Sequence, residues 1–340
     1  MKLTVLLDNI CTVLPREKLA QTLRAAFGTR LRCIGNRGIS SYTDIQDAAY
    51  GWLAQSYGLK SAAALAALLA SRGKAQPGLN YYEVSPCHWA LARDHAILTP
   101  VQALTSQQAE ELIATANAAL TASNNPDCLK LDEYGWCLET VFDLPGPSFV
   151  SALHHPTNLG HPDEAAGRQA RRLLNLIQMV WHEHPVNKAR QLQGQLAINA
   201  LWLHGGAVPE LASSHQVFDC IIDTRHRAHL LAKVLQEPLC SSLNPHPAEA
   251  LFWLDAGRDI LSFSDDTAKD QLALQINQLT AIVQTLPVDT QVSVLNCQAN
   301  QLQRIEAQII QPSWYWRLRD TFLPQTDAVE SLLMTSMLAP

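Results

Sequence analysis

Apolar positions fall on one stripe in the segment after Asp163. Leu173, Leu174, Ile177, Val180 and Trp181 stand at i, i+1, i+4, i+7 and i+8, which predicts an amphipathic helix. Ile177 and Trp181 lie at the centre of that stripe and are expected in a core. Pro185 then forces a break or restart, because the residue before a proline avoids helical geometry. The run "LAINALWLH" is almost unbroken in apolar character and reads as a buried strand. Downstream the pattern alternates. "VFDCIID", "DILSFS" and "QVSVLNC" read as strands, and "RAHLLAKVLQ" and "AKDQLALQINQLTAIVQTL" as helices.

Upstream of residue 75 the pattern is mostly helical. Leu19, Leu23 and Phe27 are spaced i, i+4, i+8 behind a proline. "DIQDAAYGWLAQSYG" and "SAAALAALLAS" follow, with Gly58 and Gly73 placed as helix stops. "YYEVSPCHWALA" and "HAILTP" read as strands, Pro86 marking an edge or bulge. "TSQQAEELIATANAALTAS" reads as a capped helix, and "CLKLDEYGWCLETVF" as a hairpin turning near Glu133–Gly135. Strands alternating with helices predict an α/β fold, a central mostly parallel sheet flanked by helices. The expected division is a mostly helical segment 1–75, an α/β region 76–325 and a tail 326–340.

Composition narrows the class. Of 340 residues, 47% are hydrophobic and 16% charged, enough for a sizeable core and against general disorder. The net charge of -6 argues against a nucleic-acid partner. The eight cysteines are scattered without a C-x-x-C pair, so they are expected as reduced thiols in a cytoplasmic protein. The opening "MKLTVLLDNICTVL" lacks the form of a signal peptide, and the longest alanine-leucine run is too short to span a bilayer; no membrane association is expected.

The stretch "WHEHPVNKARQLQGQLAINALWLHGG" carries the candidate chemistry. Asn187 and Arg190 lie at i, i+3 behind Pro185 and so share a helical face. A guanidinium beside an amide suits a carboxylate or phosphate, or else a clamp on neighbouring backbone. Asn199 is polar inside an apolar run and must find hydrogen-bond partners. His204, Gly205 and Gly206 close the strand, where α/β folds gather ligands. His182 and His184, at i, i+2 on a helix, diverge too far to chelate one ion. His184 is instead expected to be tied to backbone at a helix end. His154, His155 and His161 match no zinc spacing. The expected site is therefore Asn187, Arg190, Asn199, His204, His184 and Gly205, with no metal and no cofactor. Its ligand is expected to be a small anionic metabolite or a protein partner.

The block "LLNLIQMVWHEHPVNKARQLQGQLAINALWLHGG" resembles the RpfE-type regulatory protein family of bacteria. The resemblance lies in Asn175, Gln178, Met179, His184, Pro185, Val186, Asn187, Arg190, Asn199, Leu201, Trp202 and Gly205. "HWALARDHAIL" and "PSWYWRLRDTFLP" agree with it. The same block is similar to a segment of the archaeal-type cofactor-independent phosphoglycerate mutases of the alkaline-phosphatase superfamily, which implies their framework. Those enzymes use two metal ions and a serine nucleophile. The sequence departs from their signatures: Asp8 is followed by Asn9, Asp255, Asp259, Asp265 and Asp266 lack partner histidines, and Ala207 stands at a glycine position. The resemblance implies a regulatory or binding protein without metal-dependent catalysis. The alternatives are an active phosphomutase or phosphatase with atypical metal ligands, and an interaction module built on Trp314 and Trp316.

Overall fold

In a computed structural model of the chain, the described residues are 1–8, 31–33, 38–41, 47–91, 96–101, 104–146, 149–153, 165–209, 216–222, 224, 226–243, 246–255, 265–298 and 301–310. The expected helix around Leu19, the strand "DILSFS", His154, His155, His161, Trp314, Trp316 and the tail lie outside them. The chain divides into two compact units. Unit 1 comprises Met1–Ser41, Gln216–Asp259 and Asp265–Pro340; unit 2 comprises Tyr42–His215 and Ile260–Ser264. This differs from the expected division at residue 75.

Unit 1 is built on β1 (Lys2–Asp8), which is buried on both faces of the sheet from Leu3 to Asp8. It pairs in parallel with β11 (Glu249–Asp255) and with β12 (Gln291–Gln298). β9 (Cys220–Ile222) and β10 (Leu239–Cys240) extend the parallel part beyond β11. On the other side β13 (Gln301–Ile309) runs antiparallel to β12 and pairs with β2 (Leu31–Cys33) and β3 (Gly38–Ser41). Along the path the order is β10-β9-β11-β1-β12-β13-β2. Leu3, Val5 and Leu7 join Phe252, Leu254, Val292 and Val294 in one core. The helix at Asp265–Thr285 covers it with Leu272, Ile276, Leu279 and Val283.

The fold class is thus mixed α/β with a mostly parallel sheet, as expected, but the first strand was not. The beginning of the chain is a central strand where a helical segment was predicted. A strand buried on both faces shows no alternation, so its seven residues carry no period-2 signal. The same reason hides β11, "EALFWLD", which reads as a plain apolar run.

Unit 2 is a separate α/β body. Its sheet runs β5-β4-β7-β6, with β8 paired on β4, and every pairing is antiparallel. The strands are β4 (Asn80–Leu91), β5 (Ala96–Pro100), β6 (Cys128–Asp132), β7 (Gly135–Thr140) and β8 (Ala200–Ala207). One edge of β4 pairs with β7 through Val84 and with β5 from Cys87 onward. Pro86, which has no N–H to donate, stands at the break between these partners.

The helices of unit 2 are α1 (Ala48–Ser56), α2 (Ala62–Ala70), α3 (Ser106–Ala122), α4 (Phe149–Leu153), α5 (Ala165–His182) and α6 (Pro185–Leu192). Unit 1 adds α7 (His226–Leu235) and α8, the helix at Asp265–Thr285. Thr105 caps α3 in a reciprocal box with Gln108. α3 and α5 pack Leu112, Ala116, Leu173, Ile177 and Trp181 against Val84, Trp136, Leu138 and Leu201 of the sheet. Ile177 and Trp181 are 1% and 0% exposed, as their stripe predicted. The indole N–H of Trp181 donates to Leu112 O at 2.9 Å and so locks α5 to α3.

Among the described residues no helix is long and apolar enough to cross a membrane. Cys87, Cys128, Cys137 and Cys297 are free thiols, whereas Cys220 and Cys240 are paired, a departure from eight separate thiols.

Candidate functional site

α5 ends at His182, and the chain restarts as α6 with Pro185 in its first turn. His184 is the N-cap: its Nδ1 accepts the Val186 N–H at 3.2 Å. Its Nε2 lies 3.0 Å from Thr115 Oγ1, which itself donates to Glu111 O. A neutral ring with the proton on Nε2 satisfies all these contacts at once. Burial holds the His184 pKa below the usual imidazole value, against a smaller opposing pull from Glu111. The neutral ring therefore stabilises the fold. That contribution is present above the ordinary histidine pKa and is lost as pH falls through the lower folded value. Stability of unit 2 is expected to decline as pH falls below the ordinary histidine value of about 6.5, and His184→Asn, a cap that does not titrate, should flatten the decline. Equal slopes in thermal melts of the two proteins would remove this role from His184.

Asn187 and Arg190 share a face, as their spacing predicted, and that face is buried; each is 1% exposed. Asn187 Nδ2 donates to Trp181 O and to Ile198 O, both at 2.8 Å, and its Oδ1 accepts the Ile198 N–H at 2.8 Å. The amide thereby bonds the end of α5 to the approach to β8. Arg190 Nε donates to Leu196 O at 2.9 Å, and burial lowers its pKa from the ordinary value. Asn199 forms a backbone mimic against β4: its Oδ1 accepts the Trp89 N–H at 2.7 Å and its Nδ2 donates to Trp89 O at 2.9 Å. Of the two readings of this face, these hydrogen bonds are those of a clamp on backbone.

The Gly-Gly step is not a turn at the end of a parallel strand. Gly205 and Gly206 lie inside β8 of the antiparallel sheet, with φ of +108° and +84°. The rule that places ligands at the carboxyl ends of parallel strands does not reach them. A Cβ on Gly205 would stand 3.2 Å from Tyr81 O and 3.3 Å from Ala66 Cβ, so its bareness lets α2 ride close on the strand. A Cβ on Gly206 would fall against the Tyr82 ring.

His204 belongs to a different group. Glu83 of β4 is in register with His204 on β8 and with Cys137 on β7, so the three form one row across the sheet. The His204 Nδ1–H donates to Glu83 Oε2 at 3.2 Å, and the Tyr50 hydroxyl of α1 donates to the same oxygen at 2.9 Å. The Tyr50 and His204 rings meet edge-on with centroids 5.0 Å apart. Burial pushes the Cys137 thiol up to about 11, despite the nearby Arg72, so it is no activated nucleophile at neutral pH. Sequence reasoning missed Glu83 and Tyr50. The available signal was a single carboxylate in the apolar strand "YYEVSPC", which must have buried partners. Along an extended strand Asn199 and His204 are roughly 16 Å apart, so the expected site does not form one pocket.

Unit 1 offers a second location. β11 and β12 flank β1, so the chain crosses from one side of β1 to the other between them. Such a crossing is a topological switch point, and the crevice outside the carboxyl strand ends there is the usual ligand position. Asp8 ends β1 at that place, 3% exposed, with Asp255 and Cys297 as its register partners. Thr224, just past β9, donates from Oγ1 to Trp253 O at 2.5 Å. Among the described residues there is no group of three or more His, Cys, Asp or Glu side chains that could hold a metal ion.

Among solved structures, the chain is similar to a cofactor-independent phosphoglycerate mutase from Thermoplasma acidophilum DSM 1728. Identity is 14% over 90% of this chain and 89% of that one, with a TM-score of 0.38. It is also similar to the PH0037 protein from Pyrococcus horikoshii, at 12% identity over 90% of this chain and 87% of that one, TM-score 0.46. Neither a family model nor a curated protein matches the sequence.

Proposed function

We propose that the protein is a ligand-binding protein of regulatory type, which takes a small polar metabolite at the carboxyl ends of β11, β1 and β12. The observation that carries the site is Asp8, a buried carboxylate ending the central strand at the switch point. The resemblance of the central block to RpfE-type regulatory proteins supports the regulatory role. The sequence reading favoured an anionic ligand around Arg190. At the strand ends an anion would meet Asp8, so it binds there only with a cation between them. Metal-dependent phosphoryl transfer is the second reading, favoured by the register partnership of Asp8 with Asp255.

Thermal melts of the whole chain test the proposal, with phosphate, citrate or 3-phosphoglycerate, each alone and with Mn²⁺. A ligand at a hundred times its Kd stabilises by about 2.7 kcal/mol. The expected result is stabilisation that Asp8→Asn removes, without turnover of 3-phosphoglycerate. Turnover lost in Asp8→Asn would establish the second reading instead. Stabilisation undiminished in Asp8→Asn would move the ligand away from β1.

A further inference from the structure

Cys220 opens β9 and Cys240 closes β10, and the two strands are parallel neighbours, with Leu239 opposite Ile221 and Cys240 opposite Ile222. Side chains alternate along a strand, so Cys220, Ile222 and Cys240 share one face. All three accordingly contribute to the core that α8 covers. The sulfurs are in contact and the Cα atoms 5.9 Å apart, inside the roughly 4.4–6.8 Å range of a disulfide. Cys220 is buried at 2% exposure, whereas Cys240 is only partly covered and lies on the edge strand. β10 is two residues long, and the 20-residue span between the cysteines contains α7. Little backbone pairing therefore holds that edge: the two register pairs and the bond from Ile221 N–H to Pro238 O at 2.8 Å.

We propose that Cys220 and Cys240 are a reversible redox pair, which fastens β10 to β9 when oxidised and loosens this edge when reduced. The oxidant is a low-molecular-weight disulfide such as oxidised glutathione. The more accessible Cys240 attacks it as a thiolate, giving a mixed disulfide and one glutathione thiolate. The Cys220 thiolate then attacks the Cys240 sulfur and expels the second glutathione. The protein loses two protons and two electrons, and one oxidised glutathione becomes two reduced ones. Among the described cysteines, access together with a facing partner selects this pair: Cys87 and Cys297 are each 0% exposed, and Cys128, partly covered like Cys240, is a free thiol.

The full chain is equilibrated with oxidised or with reduced glutathione, alkylated, digested and mapped by mass spectrometry. In the oxidised sample the peptides holding Cys220 and Cys240 should be cross-linked. The melting temperature should rise by on the order of 5 °C, and the Ile221 amide should exchange more slowly. Dithiothreitol should restore both thiols in the folded protein, and Cys240→Ser should lose the oxidation-dependent shift. Alkylation of both cysteines after oxidised glutathione would overturn the proposal. So would a bond that resists dithiothreitol in the folded chain, or a shift that survives in Cys240→Ser. Peptide mapping of the unsubstituted protein decides the matter even where the variant does not fold.

Discussion

Ile177→Asp is expected to abolish folded unit 2. Ile177 is 1% exposed and packs among Leu112, Trp136, Leu173 and Trp181, between α5, α3 and the sheet. Removing it costs the transfer and cavity terms of a buried aliphatic side chain, about 2–5 kcal/mol. The new carboxylate adds a desolvation penalty of several kcal/mol more, because none of these neighbours offers a cation. Together the terms approach or exceed the roughly 5–15 kcal/mol by which a native domain is stable. The control lies two residues along the same helix: Met179 is 73% exposed, so Met179→Asp should shift stability by no more than about 0.5 kcal/mol. Circular dichroism and thermal melts of both variants check the pair. Native-like melting of Ile177→Asp would mean that the α5 stripe is not a core face.

That stripe was legible because a half-buried helix prints its period on the sequence. α3 and α6 were legible for a related reason, since Thr105 with Gln108 and Pro185 are terminus signals that act locally. β1 and β11 were not, because burial on both faces erases alternation and leaves short apolar runs of no distinctive period. The two-unit division was equally hidden, for unit 1 takes its strands from both ends of the chain and no local pattern reports such long-range pairing.

The candidate site was legible residue by residue and not as an assembly. Asn199 was marked as a polar group needing partners, and Asn187 with Arg190 as either an anion site or a clamp on backbone. What the sequence could not say is that those partners are the carbonyls and amides of Trp181, Leu196, Ile198 and Trp89. The Glu83, His204 and Tyr50 group was invisible for the opposite reason. Its members come from three elements and converge only through the register of β4 with β8 and the seat of α1.

Arg190→Ala separates clamp from ligand site. The guanidinium is almost wholly buried, and its Nε holds Leu196 O in the segment that leads to β8. Truncation leaves that carbonyl without this donor and opens a cavity where one of the largest fully buried side chains stood. The expected cost is about 3–5 kcal/mol, the range for deleting a large buried group or one partner of a buried polar pair. Asn187→Ala should fall in the same direction, because three hydrogen bonds to Trp181 and Ile198 go with one amide. The two substitutions lie one helical turn apart and act on one segment, so their effects should be less than additive in the double variant. A site open to ligand predicts the reverse pattern. Arg190→Ala would then melt within about 0.5 kcal/mol of the parent, as surface changes do, and would lose a stabilisation by phosphate, citrate or 3-phosphoglycerate that the parent shows. The burial and the hydrogen bonds favour the first pattern: a large loss of stability in both single variants, unchanged by any of the three anions.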